Sequence, residues 1–286
     1  MRKIVVLSGK GGTGKTSITS SLAVILSRSN KLVVVDCDVD TPNLGLVLGV
    51  KKDDFNWKKV YESEKVVLDH DKCTGCKKCL SICNFDVISW GDGVPVFNKF
   101  LCEGCGACSI VCPEGAVSLE RIQNGFIGSA DTSYGFKIVS GRLLMGASGS
   151  GKIVDLIRER ASGYKADLVL LDAPAGIGCP VIASVRGADY ALLVTEPTPS
   201  AFSDLKRAVK LLKQFNIPAG LIINKSDINK GFNEKIKAFA KEKGVRLLSE
   251  VPYDYAFVDS LVNLKPVVVY DNSFEKYFKD IMNNNS

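Results

Sequence analysis

The 286-residue chain contains no apolar run of about 18 residues or more, the length that a membrane-spanning helix requires. It has a single histidine and no long block of charge of one sign. Its 37 basic residues exceed its 31 acidic residues by only 6, a surplus too mild to require a nucleic-acid partner. The opening Met1-Arg2-Lys3 and the short apolar run ending at Leu7 are too brief for the apolar segment of a secretion signal. The expectation is a soluble, cytoplasmic protein with no stable membrane association and no nucleic-acid partner. With 46% apolar residues the chain can bury a full core, enough for one large α/β domain and a small extra module.

Cysteine is present in a telling place. Eight of the 10 cysteines crowd into the segment from Cys73 to Cys112. Such clustering points to metal ligation rather than disulfides, and a reducing compartment keeps the thiolates available. The spacing Cys73-x₂-Cys76-x₂-Cys79-x₃-Cys83 recurs as Cys102-x₂-Cys105-x₂-Cys108-x₃-Cys112-Pro113, and Asp86-Val87-Ile88-Ser89 is echoed by Glu114-Gly115-Ala116-Val117-Ser118. This is an internal duplication. It resembles bacterial two-cluster ferredoxins, which implies that three cysteines of each half wrap one 4Fe-4S cubane while the fourth serves the neighbouring one. On that resemblance Cys73, Cys76, Cys79 and Cys112 hold one cluster, and Cys102, Cys105, Cys108 and Cys83 hold the other. Two zinc sites are the alternative, but zinc modules separate their ligand pairs by a longer spacer. Asn84 stands where the ferredoxin pattern has proline, a departure that bears on hydrogen bonding to sulfur and on potential, not on ligation. Gly75, Gly104 and Gly106 would let backbone amides approach the sulfurs.

At the other chemical centre, the buried-strand pattern Ile4-Val5-Val6-Leu7 runs into Ser8 and then Gly9-Lys10-Gly11-Gly12-Thr13-Gly14-Lys15-Thr16. A helical pattern follows through Ser17, Ile18, Leu22, Ile25 and Leu26. Strand, glycine loop and helix in this order form a phosphate-binding loop. Backbone amides of Gly9, Gly11, Gly12, Thr13 and Gly14 approach the phosphates. The helix N-terminus adds its dipole at Lys15 to Ser17, Lys15 reaches the β- and γ-phosphates, and Thr16 ligates Mg²⁺. Lys10 comes too early to do the work of Lys15.

The whole string resembles the deviant Walker A motif of the MinD/ParA/Mrp family. The resemblance implies that Lys10 crosses an ATP-bridged homodimer to the partner's phosphates, as an arginine finger does. Asp36-Cys37-Asp38-Val39-Asp40, at the end of the strand Leu32-Val33-Val34-Val35, is similar to the family's switch I. That similarity implies that Asp38 orients the attacking water and Asp36 supports the Mg²⁺ shell, with no role assigned to Asp40. Leu168-Val169-Leu170-Leu171-Asp172 reads as a Walker B strand, with Asp172 binding Mg²⁺ through water. Asn224-Lys225-Ser226-Asp227 and Val251-Pro252-Tyr253-Asp254 resemble the family's adenine segments, which places Asn224, Pro252 and Tyr253 at the base. The N-K-x-D pattern also resembles the guanine-reading motif of GTPases, and the family resemblance favours ATP.

Further strands are expected at Ala191-Leu192-Leu193-Val194 and Gly220-Leu221-Ile222-Ile223, with helices over Ala201 to Phe215 and Glu234 to Lys243. The expected fold is α/β: a doubly wound, mostly parallel sheet of the P-loop NTPase type with an inserted small α+β ferredoxin-like module. The expected domains are 1–64 and 123–286 for the ATPase and 65–122 for the insert.

Other features are weighed and set lower. Gly146-Ala147-Ser148-Gly149-Ser150-Gly151-Lys152-Ile153 nearly repeats the loop pattern but puts Ile153 where the Mg²⁺ hydroxyl belongs, so a loop and helix start near a dimer or partner surface is expected. Cys37 and Cys179 read as packed cysteines, the alternative being a metal-sensing role beside the nucleotide. His70 reads as a surface or satisfied histidine. Phe274, Tyr277, Phe278, Ile281 and Met282 form a helical stripe expected to pack on the core, since Glu275, Lys276, Lys279 and Asp280 give no basic face for a membrane. Three function classes remain: an ATPase that gates electron transfer to a redox or metal-cofactor client, a cluster scaffold or carrier, and a positioning ATPase of the partition type. Eight fixed thiolates favour the first.

Overall fold

The computed structural model describes residues 1–279 and 281. Met282 and Asp280 lie outside them. The chain divides into two units, one made of Met1–Lys58, Ile127–Arg142 and Ser150 onward, the other of Lys59–Phe126 with Leu143–Gly149.

Along the chain, the first unit begins with β1 (Arg2–Ser8), α1 (Lys15–Ser27), β2 (Leu32–Asp36) and α2 (Leu44–Val47), and the chain leaves it through β3 (Lys58–Val60). The second unit holds β4 (Ser63–Leu68), α3 (Lys78–Ile82), β5 (Ile88–Gly91), β6 (Val94–Phe97), α4 (Ala107–Ile110) and β7 (Val117–Ile122). The chain returns through β8 (Gly125–Asp131) and β9 (Lys137–Leu143) to α5 (Ser150–Ser162), β10 (Leu168–Ala175), α6 (Cys179–Val185) and β11 (Tyr190–Thr195). It ends with α7 (Pro199–Gln214), β12 (Ala219–Asn224), α8 (Lys230–Lys243), β13 (Arg246–Val251), α9 (Ala256–Val262), α10 (Val267–Tyr270) and a 3₁₀ segment, Asn272–Phe278.

The large sheet has the order β13-β12-β11-β1-β10-β2-β9-β8-β3 and is parallel from β13 to β9. Its central strands β1, β2, β10 and β11 carry continuous Val, Ile and Leu runs of the kind buried on both faces. Register matters for chemistry: Asp172 of β10 lies beside Asp36 of β2, so two carboxylates share one end of adjacent strands. Helix α1 packs against this sheet although Thr19, Ser20 and Ser21 are fully buried. Their burial is tolerated because each hydroxyl is bonded: Thr19 donates to the Asp172 carboxylate, and Ser20 and Ser21 donate to the Ser17 carbonyl.

Two helices start earlier than their apolar periodicity suggests. The Thr198 hydroxyl accepts from the Ala201 amide and Pro199 follows it, so α7 begins at Pro199 rather than Ala201. The Asn229 side chain accepts from the Phe232 amide, so α8 begins at Lys230 rather than Glu234. The C-terminal stripe does pack inward, with Phe274, Phe278 and Ile281 buried, but its first part is a 3₁₀ segment instead of an α-helix. Ile153 is buried in α5, which accounts for an isoleucine where a phosphate loop would carry a hydroxyl.

The second unit contains two antiparallel pairs, β4 with β7 and β5 with β6, with α3 packed against α4. Its core is small: Val66, Val87, Ile88 and Val117 share it with Cys79 and Cys102. Four aliphatic side chains are little to stabilise some 70 residues, and the cysteines complete the interior.

Candidate functional site

The loop Gly9–Gly14 joins β1 to α1 at the strand end where Asp36 and Asp172 also emerge. Gly14 has φ +87°, and a methyl group there would overlap the Asn224 side-chain nitrogen, so only glycine fits. Lys15 is the first residue of α1 and is 8% exposed. Its ammonium lies 2.8 Å from Asp172 Oδ1. The Thr16 hydroxyl donates to Asp172 Oδ2 at 2.8 Å and the Thr19 hydroxyl to Oδ1 at 2.7 Å. One buried carboxylate thus gathers the lysine and both threonine hydroxyls. Thr19 escaped the sequence reading, although its place one helical turn beyond Lys15 on the same face was a usable signal.

Asp36 sits next to this group, 1% exposed, accepting from the Asp38 amide at 3.2 Å and the Leu44 amide at 3.0 Å. Burial, with repulsion from Asp172, pushes its carboxyl up to about 8, and Lys15 and the two amides offset this only in part. Two buried carboxylates on adjacent strand ends, one of them bonded to the Thr16 hydroxyl, are oxygen donors of the kind that suits a divalent cation. The Thr13 hydroxyl is buried and has no hydrogen-bond partner among the described residues. An orphaned hydroxyl inside a loop of backbone amides fits a phosphate oxygen. Asp38 points elsewhere: its carboxylate accepts from the Thr41 amide and hydroxyl, both at 3.2 Å.

Lys10 is held within its own chain, 2.8 Å from Glu196 Oε1. Lys225, with φ +52°, reaches Glu196 Oε2 at 2.8 Å and the Gly12 carbonyl at 3.0 Å. Glu196 is 5% exposed, and although its burial acts upward, the two lysines hold its carboxyl below the usual range. It follows β11 at the same end of the sheet, and that strand-end position was its only signal in the sequence. Asn224, also buried, donates to the Thr13 carbonyl at 2.9 Å. Tyr253 is half exposed beside Pro252, and its amide donates to Asp227 at 2.7 Å. Ser17 is buried in the first turn of α1.

Cys37 is fully buried and burial pushes its thiol up to about 12, so it packs as a neutral side chain. Cys179 is exposed at the start of α6. His70 is exposed.

In the second unit Cys73, Cys76, Cys79 and Cys112 wall one cavity, and Cys83, Cys102, Cys105 and Cys108 wall another. No three His, Cys, Asp or Glu side chains among the described residues meet around a single metal ion. A cubane is held at its corners, so its ligands enclose a space instead of converging on a point, and four thiols around a cavity are a donor set that would fit one. The Gly104 amide donates to Cys102 Sγ at 3.4 Å. Gly104 has φ +65°, and a methyl group there would overlap the Glu64 carbonyl. Asn84 is exposed.

Among proteins of known sequence, the chain is 37% identical over 274 residues to an uncharacterized protein of Methanocaldococcus jannaschii, covering 95% of this chain and 91% of the relative. It is 25% identical to an iron-sulfur cluster carrier protein of the same organism, over 98% of this chain and 82% of the relative. Among solved structures it resembles the septum site-determining protein MinD complexed with Mg-ADP from Pyrococcus horikoshii, with TM-score 0.58, 22% identity, and coverage of 95% of this chain and 89% of that one. The Pyrococcus furiosus cell division ATPase MinD gives TM-score 0.59 at 22% identity, over 99% and 98%. No helix among the described residues is long and apolar enough to cross a membrane. The model of the CobQ/CobB/MinD/ParA nucleotide binding domain matches residues 4–267, and with the phosphate loop, the paired strand-end carboxylates and the parallel sheet on which they lie, the chain belongs to that family.

Proposed function

We propose that the chain is an ATPase whose nucleotide state controls electron transfer through two 4Fe-4S clusters, serving a redox client or a client in metal-cofactor maturation. The observation that carries this reading is the pair of four-thiol cavities, each drawing three cysteines from one half of the repeat and one from the other, in a chain that also has a phosphate loop. The clusters, held by Cys73, Cys76, Cys79 and Cys112 and by Cys83, Cys102, Cys105 and Cys108, supply one-electron chemistry. In this reading the insert spans 65–122 within an ATPase domain of 1–64 and 123–286.

Lys15 trades its partner when nucleotide enters. Asp172 neutralises it here, and phosphate oxygens compete for the same ammonium. The threonine hydroxyl and the carboxylate so released, Thr16 and Asp172, hold Mg²⁺ together with Asp36. Asp38 orients the attacking water once it leaves Thr41. Asn224, Pro252 and Tyr253 hold adenine. Lys10 leaves Glu196 to meet phosphates across a homodimer. Asp36 and Asp38 precede the insert in the chain, so a loop change driven by the γ-phosphate has a short covalent path to it.

Anaerobic purification followed by iron and sulfide counting is the first test, with about eight of each per chain expected. Electron transfer from a reduced donor to an acceptor is then followed by EPR with ATP, ADP or neither. Transfer that ignores nucleotide, with unchanged potentials, defeats the coupling. The name of the M. jannaschii relative favours a second reading, a carrier that gives its clusters away. Retention of iron under challenge with a chelator and an apo-acceptor supports the redox reading, and release supports the carrier.

A further inference from the structure

Lys65 lies in β4 of the second unit and is buried, 6% exposed. Its register partner across the antiparallel pair is Glu120 of β7, an exposed residue. A cross-strand ion pair would be the ordinary arrangement. It is not formed: among the described residues no carboxylate lies within ion-pair distance of Lys65. The ammonium turns instead into the loop that carries the second cysteine set, donating to the Cys102 carbonyl and, at 3.4 Å, to the Phe100 carbonyl. Two carbonyl dipoles take two of its three N–H donors and leave its charge without an opposite charge. A buried charge in that condition is costly unless an anion lies close by.

The cavity beside it supplies the reason. Four deprotonated thiols around a 4Fe-4S cluster would leave the group with net negative charge, and the cavity walled by Cys83, Cys102, Cys105 and Cys108 is otherwise lined mostly by apolar side chains, Val66, Phe85, Val87, Ile88, Phe97 and Leu119, with Glu103, among the described residues, the one charged residue in its wall. Apolar walls weaken screening, so a fixed charge counts for more there than at the surface. The other cavity has Lys77 and Glu114 in its wall, one charge of each sign. We infer that Lys65 is a positioning residue that sets the reduction potential of the cluster bound by Cys102, Cys105, Cys108 and Cys83, its fixed positive charge favouring the reduced form. One electron enters from the donor, the cluster becomes one unit more negative, and no proton need move.

This inference rests on the two-cluster reading, and the experiment separates the two. Wild type, Lys65→Met, Lys65→Gln and Lys65→Arg are prepared anaerobically, iron and sulfide are counted, and both midpoint potentials are measured by EPR-monitored titration with redox mediators. The Met and Gln variants are expected to move one midpoint to more negative potential and leave the other in place, while Arg restores the wild-type pair. Gln keeps a donor for the two carbonyls, so it carries the comparison if Met fails to hold its clusters. Full iron content with unshifted midpoints in Met and Gln overturns the inference alone. So does a loss of thermal stability in Met that Gln rescues at unchanged potentials, because Lys65 would then be only a tie for the loop. Wild-type protein without iron and sulfide overturns the two-cluster reading and this inference with it.

Discussion

At the phosphate loop, Lys15, Thr16 and Thr19 all turn to Asp172, so the site's lysine is neutralised by the protein itself. In the second unit the cysteines line two cavities, and the Gly104 amide donates to the Cys102 sulfur. The first region is a closed electrostatic circuit lying on a large sheet. The second has a small core in which two cysteines stand among four aliphatic side chains. The difference teaches that one site is satisfied by the protein's own charges, whereas the other has thiols where a core would have apolar side chains and, in the two-cluster reading, would take part of its stability from the clusters.

In the two-cluster reading, removing iron and sulfide is the most severe way to break that contrast. Structural metal binding supplies free energy on the order of 10 kcal/mol, more than the core of the second unit offers. Chelation is expected to expose residues 73–112 to limited proteolysis while nucleotide binding in the first unit survives, and equal resistance before and after chelation would contradict the contrast. Next in size is Lys15→Ala. It leaves the Asp172 carboxylate buried without its cation, a loss of about 3 kcal/mol or more in denaturant titrations. ATP turnover should fall by about 10³-fold or more, with iron content unchanged.

Asp36→Asn tests the circuit more finely. Because the folded carboxyl is raised from 3.8 to about 8, the fold favours the neutral form. That stability is fully present below 3.8 and is lost as pH rises through about 8. Nucleotide-free wild type should therefore weaken across this window, whereas the asparagine variant should lack that slope and be the more stable of the two at pH 8. The same variant should bind Mg²⁺-nucleotide more weakly. A parallel pH dependence in both proteins would remove Asp36 as the cause. The smallest effect belongs to Gly104→Ala, which combines an unfavourable backbone angle with overlap at the Glu64 carbonyl, about 1–3 kcal/mol. Iron bound per chain should drop partially, with nucleotide affinity untouched.

Legibility differed with the distance over which each feature is built. The loop from Gly9 to Thr16 is one continuous string between a strand and a helix, so local order and glycine positions were enough to read it. The mostly parallel sheet followed from apolar runs alternating with helical segments. The starts of α7 and α8 were misread because Thr198 and Asn229 act through their caps, which apolar periodicity does not register. Glu196 went unnoticed, since nothing near it in the chain reveals the two lysines it holds.

By itself, the sequence determined the chemistry available: a phosphate loop and eight thiols in a duplicated pattern, each encoded by residues a few positions apart. Tertiary structure alone decided which charges meet. Asp172 reaches Lys15 across 157 positions, Glu196 reaches Lys10 across 186, and Lys65 turns from the glutamate opposite it toward a cysteine loop. The physical reason is that strand order and register, rather than spacing along the chain, fix the distances on which electrostatic energy depends.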